Sequence, residues 1–290
     1  MRTYLGCIPC IIRQALDATC FVTDDEAIQE RVLREALRAA SELDLRTTPA
    51  AVGQQIHRLI RQLTGNPDPY REVKEQFNRA ALALYPEMKQ RVESSPDPLE
   101  TALRLAIAGN IIDFGVNAHL EESEVNATLR DALTTPIHGD VEAFRQAVAG
   151  AATILYLADN AGEIVFDRLL IEQMPRERVT VVVKGSPIIN DATMADAQTA
   201  GLTDIVEVID NGSDAPGNIL ETTSEEFRRR FAQADLVISK GQGNYETVSE
   251  EDKDVFFVLK AKCEVIARDL GCPLGSLVLQ HHRPEKSTLA

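Results

Sequence analysis

The chain lacks a basic excess: 30 Lys and Arg stand against 45 Asp and Glu, a net charge of −15. A protein so acidic has no broad cationic face for a phosphate backbone, so no nucleic acid is expected as a partner. Long apolar runs are absent too, none reaching the roughly 20 residues that span a bilayer. The opening Met1 to Cys7 holds no continuous apolar stretch of the kind a signal peptide carries. No membrane partner and a cytoplasmic location are therefore the expectations. Cysteines are few and odd in number, five in 290 residues, which makes a poor disulfide framework and suits a reducing compartment. Neither Gly-x-Gly-x-x-Gly nor Gly-x-x-x-x-Gly-Lys-[Ser/Thr] occurs, so ordinary dinucleotide and Walker-type binding lose ground. Ala161 occupies the second aspartate's place in a strand-terminal Asp-x-Asp, which makes a phosphoaspartate route less attractive than metal-activated water. None of the five histidines stands in a triad-like context.

What is present is an apolar fraction of 44% with scattered charge, the composition of a globular protein with a sizeable core. Residues 1–150 read as helix after helix, with Ile28, Val32, Leu33, Ala36, Leu37, Ala40 and Leu43 at helical spacing behind a capping-box pattern, Thr23 to Glu26. Pro67, Pro69, Pro96 and Pro98 break the segment into separate helices, because proline lacks an amide donor and biases its predecessor away from helix. No strand is expected there. From residue 151 to 290 short β-branched runs alternate with helix-length stretches: Thr153 to Ala158, Val179 to Lys184, Ile205 to Asp210, Leu236 to Lys240 and Val255 to Lys260. This predicts an α/β fold, a Rossmann-like, mostly parallel sheet flanked by helices, behind an all-helical N-terminal subdomain. A helix over Ser224 to Ala234 is expected from Phe227 and Phe231 and a capping pattern at Thr223 to Glu226, and Gln280 to Ala290 reads as a polar tail.

Three of the strands end in polar clusters, and ligands of parallel sheets gather outside such ends. Asp159 and Asn160 offer a carboxylate and an amide oxygen to a hard divalent cation. A second carboxylate is wanted from the next strand end, where Asp196 and Asp191 compete. The alternative is that these Asx residues simply cap the helices that follow. Lys184 and Lys240, each before a glycine, have the place to hold a phosphate with freed amides near Gly162 or Gly241; as plain solvated turn lysines they would need no ligand. Asn110 and Asp113 share a helix face and would reach the same crevice, unless Gly115 ends the helix there. Cys7 and Cys10 have the spacing of a second metal or a redox pair, with no second Cys-x-x-Cys to complete a set, while Cys20 and Cys263 read as buried small apolar residues.

Taken together, Cys7-x-x-Cys10, Gly109-Asn110-Ile111-Ile112-Asp113, Asp159-Asn160-Ala161-Gly162-Glu163, Lys184-Gly185-x-Pro187-x-x-Asn190-Asp191 and Lys240-Gly241-x-Gly243-Asn244-x-Glu246 resemble the DUF89, or damage-control phosphatase, family, in its prokaryotic branch. The resemblance spans most of the chain. It implies a hydrolase of small phosphorylated metabolites such as sugar phosphates or damaged intermediates, using one divalent ion (Mn, Co, Ni or Mg). The metal-binding pair would be Asp159 and Asn160, with Asp196 as the later aspartate, and Lys240 would contact phosphate. Glu163 would orient or deprotonate water, or merely suit the helix dipole. Two other readings stand beside this: an S-adenosylmethionine-dependent carboxyl methyltransferase, and a non-catalytic metal or phosphometabolite-binding module. No pattern in the chain fixes an oligomeric state.

Overall fold

The computed structural model describes residues 1–109 and 130–284. Five helices come first: α1 (Cys7–Val22), α2 (Glu26–Ser41), α3 (Pro49–Thr64), α4 (Arg71–Glu93) and α5 (Pro98–Gly109). Their boundaries follow local chemistry. Asp25 caps α2 by accepting from the amides of Ala27 and Ile28, so the cap is Asp25 and the Thr23 box is not used. Pro49 opens α3, where its missing amide costs nothing, and Gly65 ends it in the left-handed conformation.

The remainder alternates: β1 (Ile137–Gly139), α6 (Val141–Gly150), β2 (Ile154–Leu157), α7 (Glu163–Ile171), β3 (Val179–Val183), α8 (Met194–Thr199), β4 (Glu207–Asp210), α9 (Glu225–Gln233), β5 (Leu236–Lys240), α10 (Gly241–Val248), β6 (Val255–Lys260), α11 (Glu264–Asp269) and β7 (Leu277–His282). The seven strands form one sheet in the order β1-β7-β6-β5-β2-β3-β4, parallel except for the β6–β7 pair. Two strands depart from the sequence reading. β1 lies inside the stretch expected to be all helix, and β7 continues through Gln280 to His282, expected to be tail. The cap of α9 is Ser224, which accepts from the amide of Phe227.

Central strands buried on both faces are apolar at nearly every position, which is why their sequence runs are nearly continuous. Successive side chains alternate between two cores. Tyr156, Val181, Ile238 and Phe256 face α5 and α7 through Leu103, Phe166 and Leu170. Leu157, Val182, Val237 and Phe257 face α9 and α10 through Phe227, Phe231 and Tyr245. A third cluster, Ile11, Val32, Ala36, Val52, Ile56 and Ile60, binds α1, α2 and α3 to one another. Thus α4, α5, β1 and α6, all before residue 151, contribute to the sheet or to its packing, while α1 to α3 form a small core of their own.

Candidate active site

The chain leaves β2 for β3 and β4 on one side, then returns to β5 and β6 on the other. This reversal is a topological switch point, and the crevice outside the carboxyl ends of β2 and β5 is where such sheets bind ligands. A cavity of about 640 Å³ opens there. One wall is the sheet end, with Asp159, Asn160, Asn190 and Asp191; the other comes from the helical region through Ile11, Ala15, Gly53, Ile56, His57 and Phe77.

Asp159 and Asn160 directly follow β2, and the loop after β3 folds back so that Asn160 bridges Asp191. Backbone bonds fix the pair: the Ala192 amide donates to Asp159 O at 2.8 Å and the Ala161 amide to Asn190 O at 2.8 Å. In the same loop Ile189, a β-branched residue, is held at a φ of +43°, a local strain of the kind that clusters at functional sites. Asn160 donates its amide to Asp159 Oδ2 at 2.7 Å and to Glu163 Oε2 at 3.0 Å, which fixes the side chain and leaves its carbonyl oxygen as the acceptor end. Gly241 at the end of β5 has a φ of +74°, and a Cβ there would lie 1.8 Å from Asp159 Oδ2. The glycine is what gives the carboxylate room.

The electrostatics of this corner are strained. Burial, then the neighbouring charges of Glu163 and Asp191, push the Asp159 carboxyl well above its ordinary range, with Lys262 and Lys184 opposing the rise. Burial also raises Asp191, against the pull of Lys184. Asp191 Oδ2 has only a long ion pair, with Lys184 Nζ at 3.5 Å, and no hydrogen bond of ordinary length. Two desolvated carboxyls, one with an oxygen held only by a long ion pair, beside an amide carbonyl, are the oxygen set a hard divalent cation would satisfy. Among the described residues no three His, Cys, Asp or Glu side chains form a ready-made cage, so the set is two carboxylates and an amide.

Several expected site residues sit behind this wall. Asp196 does not line the cavity: its Oδ2 accepts from the amide and hydroxyl of Thr193 at 2.8 and 2.7 Å, and its Oδ1 from Asn78 Nδ2 at 2.8 Å. It is a capping carboxylate with both oxygens occupied, and the structure brings Asp191 to Asp159 and Asn160 in its stead. Lys240 is fully buried, and its three N–H bonds go to Ala106 O at 3.0 Å, Glu163 Oε1 at 2.7 Å and Asp167 Oδ1 at 2.5 Å. Although burial opposes its charge, Asp167 and Glu163 hold its pKa above normal, so it stays an ammonium with no donor left for phosphate. Burial in turn raises Asp167 to about 6. Lys184 donates to Gly217 O at 2.5 Å, beside Asn244 Oδ1. The Gly162 amide donates to Asn78 Oδ1 at 2.8 Å and is likewise committed. Asn110 and Asp113 lie outside the described residues.

Cys7 and Cys10 on α1 do line the cavity, where Cys263 joins them from just before α11. All five cysteines are free thiols; Cys263 is half-buried and Cys20 exposed, so neither is the buried apolar residue expected, a role that falls to Cys272. Burial raises the Cys7 and Cys10 thiols, which keeps them protonated and weakly nucleophilic.

The sequence reading missed a buried amide chain behind the site. Asn211 Nδ2 donates to Asn218 Oδ1 at 2.9 Å and Asn218 Nδ2 to Asn244 Oδ1 at 2.6 Å, while Asn244 Nδ2 donates to Ala158 O at 3.1 Å. This chain ties the end of β4 and the first turn of α10 to the end of β2. Asn211-Gly212 directly after β4 was its sequence signal. His57, buried in the cavity wall, is driven down to about 4 by burial and by the Arg61 charge, so it is a neutral ring.

Comparison with known proteins places these features in a family. The family model described as the damage-control phosphatase ARMT1-like domain matches residues 3–278. An uncharacterized protein of Methanocaldococcus jannaschii, MJ0202, is 38% identical, covering 94% of this chain and 93% of that protein. A damage-control phosphatase of Archaeoglobus fulgidus is 37% identical over 94% of this chain and 96% of its own. The crystal structure of a DUF89 family protein from Pyrococcus horikoshii, PH1575, superposes with a TM-score of 0.89 and 33% identity, covering 98% of this chain and 100% of that one.

Proposed function

Because the chain belongs to the damage-control phosphatase ARMT1-like domain family, we propose that it is a metal-dependent phosphatase of small phosphorylated metabolites, sugar phosphates and damaged intermediates among them. The observation that carries this reading is the Asp159, Asn160 and Asp191 corner, with its desolvated and weakly paired Asp191 oxygen, at the switch point of the sheet. These three residues would hold one divalent ion, Mn, Co, Ni or Mg. When bound, such an ion supplies Lewis-acid polarisation of a phosphoryl oxygen and lowers the pKa of water.

The chain's own residues do the rest. Asn160 is oriented by its two amide bonds, so the ligand face is set before any substrate arrives. Glu163 has one oxygen on Lys240 and the other on Asn160, so it acts through Asn160 as a positioning residue. The apolar helical wall, with Ile11, Ile56 and Phe77, limits water around the ester and accommodates its body.

The test is hydrolysis of p-nitrophenyl phosphate by metal-stripped protein with Mg²⁺, Mn²⁺, Co²⁺, Ni²⁺ and Zn²⁺ restored one at a time. Activity should return with at least one ion and vanish in Asp159→Ala at unchanged fold. Full activity in that variant, or metal-independent methyl transfer from labelled S-adenosylmethionine without any phosphate-ester turnover, would overturn the reading. A second variant probes the packing. Gly241→Ala drives a methyl group into Asp159 and forces an alanine into the left-handed region. It should lower kcat/KM by about a hundredfold, the scale of an ångström's misplacement at a reacting centre, and stability by roughly 1–2 kcal/mol. Kinetics and urea melts of the same preparation check both.

A further inference from the structure

A phosphomonoester carries about two negative charges, and the corner that would receive it is already acidic. The cavity is lined by Asp159, Asp191, Glu246 and Glu264, and among the described residues by one cationic side chain, Lys262. Five other cations around this corner are committed, and Lys260, the last residue of β6, does not line the cavity. Lys240 and Lys184 are buried with acceptors around them. Lys74 is buried between Asp68 and Asp196, at 3.5 Å from each. Arg58 and Arg61 clamp Asp214, both at 2.5 Å.

Lys262 differs on each count. It is exposed, and its charge reaches Asp159 without a close ion pair to any described carboxylate. It stands two residues past the end of β6, the strand paired in parallel with β5, whose own end packs Gly241 against Asp159. Its backbone origin is fixed, because the neighbouring Ala261 donates its amide to Ser276 O at 3.0 Å and accepts from the Gly275 amide at 2.8 Å. The base of the side chain is anchored while the ammonium is free to meet a ligand.

We infer that Lys262 is the phosphoryl-binding cation of this cavity, the role the sequence alone offers to Lys240 or Lys184. The inference rests on the phosphatase reading for its substrate, though the anion site itself does not. An ammonium on a flexible stem is a point charge that follows the equatorial oxygens as charge develops on them.

The experiment titrates inorganic phosphate into the Mg²⁺-loaded full chain by calorimetry, comparing wild type, Lys262→Met and Lys262→Arg, with p-nitrophenyl phosphate kinetics in parallel. Phosphate affinity and kcat/KM should each fall about tenfold to a hundredfold in Lys262→Met, the range for losing a charged hydrogen bond. Lys262→Arg should recover part of the loss, and Mg²⁺ affinity should hold in both variants. Wild-type phosphate affinity in Lys262→Met, or no phosphate binding by the wild type, overturns the inference. Phosphate binding that depends on Lys262 in a protein that hydrolyses no ester would keep the anion site and sink the phosphatase reading.

Discussion

Asp191→Ala is expected to lower kcat/KM by about a thousandfold, the several kcal/mol that a lost metal ligand represents, while Asp196→Ala leaves turnover per folded molecule within about tenfold. The two carboxylates are five positions apart in sequence and both buried, yet their surroundings assign them different work. Asp191 has an oxygen with no hydrogen bond of ordinary length and faces Asp159 across the cavity corner. Asp196 accepts from Thr193 twice and from Asn78 once, with Lys74 nearby. Removing it leaves the α8 cap unmade and a buried lysine with Asp68 alone, so it should cost about 3 kcal/mol of stability. Asn78 also holds the Gly162 amide, which accounts for a modest residual effect on rate. Kinetics normalised to folded protein, with urea melts of both variants, separate the two. Lost activity in Asp196→Ala with activity kept in Asp191→Ala would return the ligand role to Asp196.

Lys240→Met should destabilise the protein by about 3–5 kcal/mol, the usual cost of stripping one partner from a buried ion pair. Methionine fills the space, but Glu163 and Asp167 are left facing each other without a cation. The pH dependence has a definite sign. Burial already raises Asp167 to about 6 in the native protein, and losing the ammonium raises it further. A carboxyl whose folded pKa lies above its unfolded value contributes stability that is present below the unfolded pKa and lost as pH rises through the folded one. The variant's deficit should therefore be smaller at pH 5 than at pH 8. Thermal melts at the two values check this; an equal deficit at both would mean the pair is not what Lys240 stabilises.

Much of the sheet was legible because of burial. β2, β3, β5 and β6 are covered on both faces, so their runs are dominated by apolar residues, with Thr180 and Ser239 the polar positions before the strand ends. β1 offers only Ile137, His138 and Gly139, and its existence depends on β7 as a neighbour. β7 was hidden by its own end, since Gln280, His281 and His282 look like tail until Phe256 stacks on His281 at 3.9 Å. At the site, Asp159 and Asn160 were readable because they follow a strand directly. Asp191 and Asp196 were not separable, since only the tertiary bridge shows that Asp191 is the one beside Asn160. Thr193-x-x-Asp196 did carry a local sign of capping that a stricter reading would have weighed. Lysine roles were the least legible. Lys240 and Lys262 both stand at strand ends, and only the packing of α5 and α7 over β5 decides which one is buried.

The Lys240 ammonium draws its acceptors from residues 134, 77 and 73 positions away. A cation cannot leave water until all three have arrived, so none of these contacts gains much by forming alone. Closing loops of that length is the slow, entropically costly part of reaching a native topology. The backing of the cavity wall thus belongs to the long-range fold as a whole, and no local stretch of helix or strand supplies it alone.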